Sequence, residues 1–199
     1  MNARMKSLRS LLALALLTGF AAAPTAAQVP GISFNLAPRV GYFTPLGPMF
    51  EDAGDEVKLG SGLAVGVSAE LGLLGIPFGL RANVDHVLNT SVEVAGTELT
   101  DEATMTVITG DLVFGGPRIL PVRPYLLVGG GVKQYDLGAG EVGEESDLAL
   151  HVGAGVDLKF GPLGLVAEVS DYVSWFEAFD ERKMQNDIFA SIGIRVGMF

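Results

Sequence analysis

The chain has two histidines, His86 and His151, and no cysteine among its 199 residues. A hydrolase needs a nucleophile with a base in hydrogen-bond reach, and His151 with Ser170 or Ser174 and Glu168 supplies the residue types of a triad. No compact motif fixes their spacing, and a histidine on the polar side of a strand serves equally well as a paired interior residue. The lack of cysteine excludes thiol nucleophiles, zinc knuckles and disulfide scaffolds. Carboxylates could bind a hard cation, but EDAGDE at 51 to 56 lacks the Asp and Gly spacing of an EF-hand loop. Neither a metal nor a cofactor is expected. The stronger signal is a set of ten charges at alternate positions within apolar segments. Five are acids (Glu70, Asp85, Asp111, Asp157, Glu168) and five are bases (Arg39, Arg81, Lys133, Lys159, Arg195). Equal numbers of opposite sign on one face are suited to pairing with each other.

The segments that position these charges alternate strictly. In LALHVGAGVDLKF, residues 148 to 160, Leu148, Leu150, Val152, Ala154, Val156, Leu158 and Phe160 share one parity, and His151, Asp157 and Lys159 share the other. A period of two over this length is a strand with two different environments. Seven more segments follow suit, at 32–44, 62–73, 78–88, 104–115, 122–135, 163–176 and 187–199, some less regular than others. Three connections are short, at 75–77, 115–121 and 161–164. Four are longer and acidic, at 45–60, 92–103, 136–147 and 177–186. Eight antiparallel strands joined by alternating tight and long connections are expected to close as an up-and-down β-barrel.

Ahead of them, Arg4, Lys6 and Arg9 precede the apolar run LLALALLTGF and the small residues AAAPTAAQ. That order is expected of a secretory signal peptide over residues 1–27, cleaved after Ala27 or alternatively after Ala23, with the barrel domain at 28–199. Its removal takes three bases and no acid, so a formal charge of -10 becomes -13. An acidic chain of this kind is a poor partner for nucleic acid. LGLLGIPFGL at 71–80, the best remaining candidate for a spanning helix, is too short and is broken by Gly75 and Pro77.

Alternation alone leaves open which face is outside. A secreted, lipocalin-like barrel would turn its apolar face inward to a ligand, and a transmembrane barrel would turn it outward to lipid. Aromatic placement favours the second. Phe78, Phe114 and Phe160 fall at the short-turn ends, and Tyr42, Tyr135 and Trp175 near the long-loop ends, as two interfacial girdles require. An eight-stranded barrel is just wide enough for side chains to fill it, so the ten charges are expected to pair inside rather than line a pore. The excess acid then collects in the long loops.

Together the leader, the eight amphipathic strands, the interior charges and the final strand resemble the small bacterial outer-membrane β-barrels of the type formed by the transmembrane domain of outer-membrane protein A. RPYLLVGGGV at 123–132 is similar to the Pro-Tyr, glycine-rich strand of these domains. SIGIRVGMF resembles the signal read by the barrel-assembly machinery, carried by Ser191, Gly193, Val196, Met198 and Phe199, with Phe199 one position beyond the usual register. The resemblance implies an all-β, eight-stranded transmembrane barrel in the outer membrane, with outer-membrane lipids and lipopolysaccharide as its surroundings. It also implies the assembly machinery as a partner during biogenesis. A structural or surface-interaction role without catalysis is the expectation, with a narrow pore or hydrophobic-solute channel as the alternative. A lipid A-modifying enzyme is the lesser reading, since the His-x-Ser arrangement of lipid A deacylases is absent.

Overall fold

A computed structural model describes residues 32–47, 50–52, 55–73, 76–94, 97–115, 121–136, 145–160, 163–178 and 181–198. The expected leader and Phe199 lie outside the described residues. Eight long strands build the barrel: β1 (Ile32–Pro45), β4 (Gly62–Leu73), β5 (Phe78–Val94), β6 (Thr97–Gly115), β7 (Val122–Asp136), β8 (Glu145–Phe160), β9 (Leu163–Ala178) and β10 (Glu181–Met198). Two short strands, β2 (Phe50–Asp52) and β3 (Asp55–Leu59), form a hairpin in the first long connection. All pairings are antiparallel. β1 pairs with β10, and β5 with β6, which closes the ring.

The register sets the strand tilt. Registered partners lead from Phe34 through Leu71, Leu80, Leu112, Val128, Val152, Asp171 and Ile188 back to β1 at Thr44, ten residues further along. A stagger of that size in an eight-stranded barrel goes with a strand tilt of about 40°. The barrel therefore winds steeply, and side chains from strands far apart in the sequence meet across the lumen.

The two faces are sharply different. Leu63, Leu126, Leu148 and Ile192 are 61–74% exposed on the outer surface, whereas Arg39, Glu70, Arg81, Asp85, Asp111, Lys133, Asp157, Glu168 and Arg195 are buried. Each leucine or isoleucine side chain left in water forfeits about 1.5–3 kcal/mol of burial free energy. A whole cylinder of them is stable only against hydrocarbon. A soluble ligand-binding barrel has the opposite arrangement.

Three of the longer connections differ from the reading as loops. β5 and β6 continue as a paired hairpin as far as Val94↔Thr97, with register shifts after Val87, Thr90 and Val92. β9 and β10 stay paired up to Ala178↔Glu181. β3 joins the top of β5 through Val57↔Val94 and Leu59↔Val92. Alternation fails there because neither face of a strand beyond the bilayer meets lipid. Thr90, Val92, Val94, Thr97 and Thr100 nevertheless have the β-branched side chains that extended backbone favours.

Candidate functional site

The barrel interior is the one place where chemistry-bearing side chains converge among the described residues. From the short-turn end upward, charges of alternating sign form one chain. Asp157 accepts from Arg195 Nη1 at 3.0 Å, and Arg195 Nη2 reaches Glu70 Oε2 at 3.4 Å. Glu70 accepts from Arg81 Nη2 at 2.7 Å, and Arg81 Nη1 donates to Glu168 Oε2 at 2.6 Å. Glu168 Oε1 lies 2.5 Å from Arg39 Nη1, whose Nη2 binds Asp85 at 2.8 Å. Two tyrosines cap the carboxylates: Tyr125 donates to Glu168 and Tyr172 to Asp85, each at 2.7 Å. Tyr125 also lies under the Arg81 guanidinium, 4.8 Å from its ring centre. Small residues make the room. A Cβ on Gly155, the registered neighbour of Tyr125, would sit 2.4 Å from the tyrosine ring.

Two further clusters flank the chain. Asp111 is held by Asn83 and Thr109 and by His151 Nδ1 at 2.9 Å, and the His151 ring stacks on Tyr172 at 4.1 Å. Nearer the long-loop end, Lys133 binds Asp187 and donates to Ser174 Oγ at 2.8 Å, and Tyr135 donates to Gln185 Oε1 at 2.8 Å. Level with the second cluster, where Met105 is registered opposite Tyr135 and Val107 opposite Lys133, an apolar cluster also takes in Phe43, Val87 and Phe189. The lumen is thus filled by an ionic chain toward the short-turn end and by packed rings, methyl groups and the Lys133–Asp187 pair toward the long-loop end. No group of three or more His, Asp or Glu side chains is placed to hold a metal among the described residues.

The ten charges singled out in the sequence are not all placed alike. Nine are buried in the lumen, but Lys159 is exposed near the end of β8, where the inward-facing parity has passed the last interior layer. The even balance of five and five is also corrected. Asp187, which is not one of the ten, is fully buried. Arg123, also outside the ten, reaches Glu70 Oε1 at 3.5 Å. Tyr135 is not a girdle residue: it shares the inward parity of β7 with Tyr125 and Lys133 and is 2% exposed. Tyr42, Phe78, Phe114 and Phe160 do face outward, with Phe78 registered opposite Phe114, and Trp175 is half-buried. The triad types do not assemble. His151 is registered opposite Tyr172, its bonds go to Asp111 and Thr109, and Ser174 is taken by Lys133. Of the expected assembly signal, Ser191 and Gly193 take the inward parity of β10, Val196 is half-buried, and Met198 pairs with Phe34.

The backbone of this barrel is similar to those of several solved structures. Neisserial surface protein A (NspA) matches with a TM-score of 0.55 and 18% identity over 83% of this chain and 98% of that one. OprG of Pseudomonas aeruginosa matches with a TM-score of 0.58 and 13% identity over 82% and 95%. The outer membrane protein AlkL, solved in DMPC lipid bilayers, matches at 0.53 and 12% over 88% and 94%. The chain has the fold of the small outer-membrane β-barrels. No family model and no curated protein sequence matches it. At identities this low, the likeness is one of fold alone.

Proposed function

We propose that the protein spans the bacterial outer membrane as a non-catalytic barrel that presents its outer rim to partners at the cell surface. The observation that carries this reading is the strand-built rim. β5 and β6 stay paired well past the apolar band, and the β2–β3 hairpin adds to their edge. Register there sets Glu51 opposite Glu56, Asp52 opposite Asp55 and Glu93 opposite Glu98. The strand pairing thus places acidic residues at registered positions of the rim. Positions fixed by strand pairing suit a cationic partner, or divalent cations shared with lipopolysaccharide phosphates. Contact with the assembly machinery belongs to biogenesis and is proposed for β10 alone.

The filled lumen supports a structural role over an ion pore, because an ion would have to displace the apolar layer around Phe43 and Phe189. The test is a rim-shortened variant in which residues 89–103 are replaced by a tight turn. It should fold and insert as the wild type does and lose surface binding measured on whole cells. Unchanged binding by a folded, inserted variant would remove the reading.

A further inference from the structure

We propose that copies of this barrel associate side by side in the membrane, with His86 on one wall meeting Asp171 on the opposite wall of the next copy. Within the apolar band, and apart from the Tyr42 phenol, these are the only two described side chains on the lipid-facing parity that can carry a charge. An ionisable group on that face is costly against hydrocarbon unless it meets a polar partner. Asp171 is registered between Val152 and Ile188, and its Oδ1 accepts the Asp187 backbone N–H at 3.1 Å. A carboxylate has further acceptor sites to fill. His86 is half-buried beside Thr106, its Nδ1 2.9 Å from the threonine hydroxyl.

The stagger of the barrel sets both groups at one depth. The registered row from Phe34 to Thr44 climbs ten residues toward the long-loop end in eight steps, and four of those steps lead from Leu80 on β5 to Asp171 on β9. Asp171 thus stands five residues above Leu80 and half-way round the ring. His86 stands six residues above Leu80 on its own strand. The two side chains therefore differ in depth by about 3 Å, one residue of a tilted strand, and lie on diametrically opposite walls. Copies inserted in the same direction bring these walls together by translation alone.

Shape agrees with polarity. Two residues below Asp171, Val169 is registered between Ala154 and Ala190, which with Ala167 line one end of an apolar groove of about 870 Å³. Two residues below His86, Val84 is registered with Ile108, and they are 41% and 44% exposed. A ridge of branched side chains thus comes level with a hollow lined by alanines. Inside a bilayer, lipid is as apolar as protein, so close packing on small residues and hydrogen bonds between walls drive association. An imidazole N–H given to a carboxylate is a bond of that kind. The contact joins unlike faces, so it is heterologous and repeats as an open row rather than closing as a pair.

The chain has no cysteine, so single cysteines report the contact cleanly in dilute phosphatidylcholine vesicles. Leu88→Cys lies two residues above His86, and Val173→Cys two above Asp171. Mixed under a copper oxidant, these two variants should form disulfide dimers well above a control mixture of Thr44→Cys on β1 with Val132→Cys on β7, a quarter turn away. Each variant alone should stay at the control level, and the double variant should give a ladder of higher oligomers. Adding Asp171→Leu or His86→Leu should lower the yield about tenfold, the worth of one hydrogen bond between membrane-spanning elements, with the unboiled band on SDS gels unchanged. A mixed yield at the control level, dimers formed equally well by either variant alone, or a yield insensitive to both leucine substitutions overturns the proposal.

Discussion

Arg39 binds Asp85 from across an intervening strand: Nη2 lies 2.9 and 2.8 Å from the two carboxylate oxygens, with β4 between β1 and β5. On its other side, the same guanidinium reaches over β10 to Glu168 on β9. One side chain thus ties three strands that share no hydrogen-bond ladder with one another. Arg39→Met removes the guanidinium from buried Asp85, which keeps its Tyr172 bond, and one of two from Glu168, which keeps Arg81; it should cost about 3–5 kcal/mol, measured as urea unfolding of the barrel in lipid vesicles. Asp85→Asn combined with Arg39→Met should recover part of that loss.

Gly155 and Tyr125 are coupled through space rather than through charge. The Gly155→Ala methyl would press on the ring that carries the hydroxyl bonded to Glu168. Overpacking of this kind costs about 1–3 kcal/mol. Adding Tyr125→Leu should relieve only part of the strain, because the Ala167 carbonyl oxygen also lies 2.7 Å from that position. A double-mutant cycle on unfolding free energies reads the coupling.

The seam between β1 and β10 should be the weakest of the eight. Its register runs from Leu36↔Val196 to Arg39↔Gly193 and skips Ala37 and Pro38, whereas the β1–β4 ladder passes through both. The Pro38 carbonyl points at Gly193, so the proline nitrogen also faces β10 and has no hydrogen to give. Amide exchange around Ile194 should be faster than around Val67 and Ser68 on the opposite side of β1. Pro38→Val should slow it and add about 1 kcal/mol to stability.

Electrical recordings give an independent check on the filled lumen. In planar bilayers the folded protein should show no conductance above the lipid background. Phe43→Ala should cost about 3–5 kcal/mol through the cavity it leaves in the outer apolar layer.

An unboiled sample should migrate differently on an SDS gel from a boiled one, and refolding should require detergent or lipid. A water-soluble product with no heat shift would contradict the exposed apolar cylinder.

Much of this architecture was legible in the residues because lipid on one side and a crowded lumen on the other impose a period of two. Strand β4 over 62–73 follows from that period alone, and the exterior placement of Phe78, Phe114 and Phe160 follows from the period together with their position at the short-turn ends. The pairing inside was not legible, because it depends on the stagger. Arg39 meets Glu168 across 129 residues of sequence, and a shift of two residues in any ladder would give it a different partner. Tyr135 was misplaced for a related reason. Near the rim, polar and aromatic residues occupy both parities, so type no longer reports direction. The strand extensions at 89–103 escaped for the same cause, with water on both sides and no apolar face to mark them.

The ring closes where Phe34 of the first strand lies beside Met198 of the last, at the short-turn end of the barrel. In the closed ring no strand is intrinsically first. Joining those two ends with a short linker and opening the chain at another short turn, such as 161–162, should leave every ladder and every ion pair in place. Strand order in the gene is therefore a matter of how the barrel is made, and the assembled wall carries no record of it.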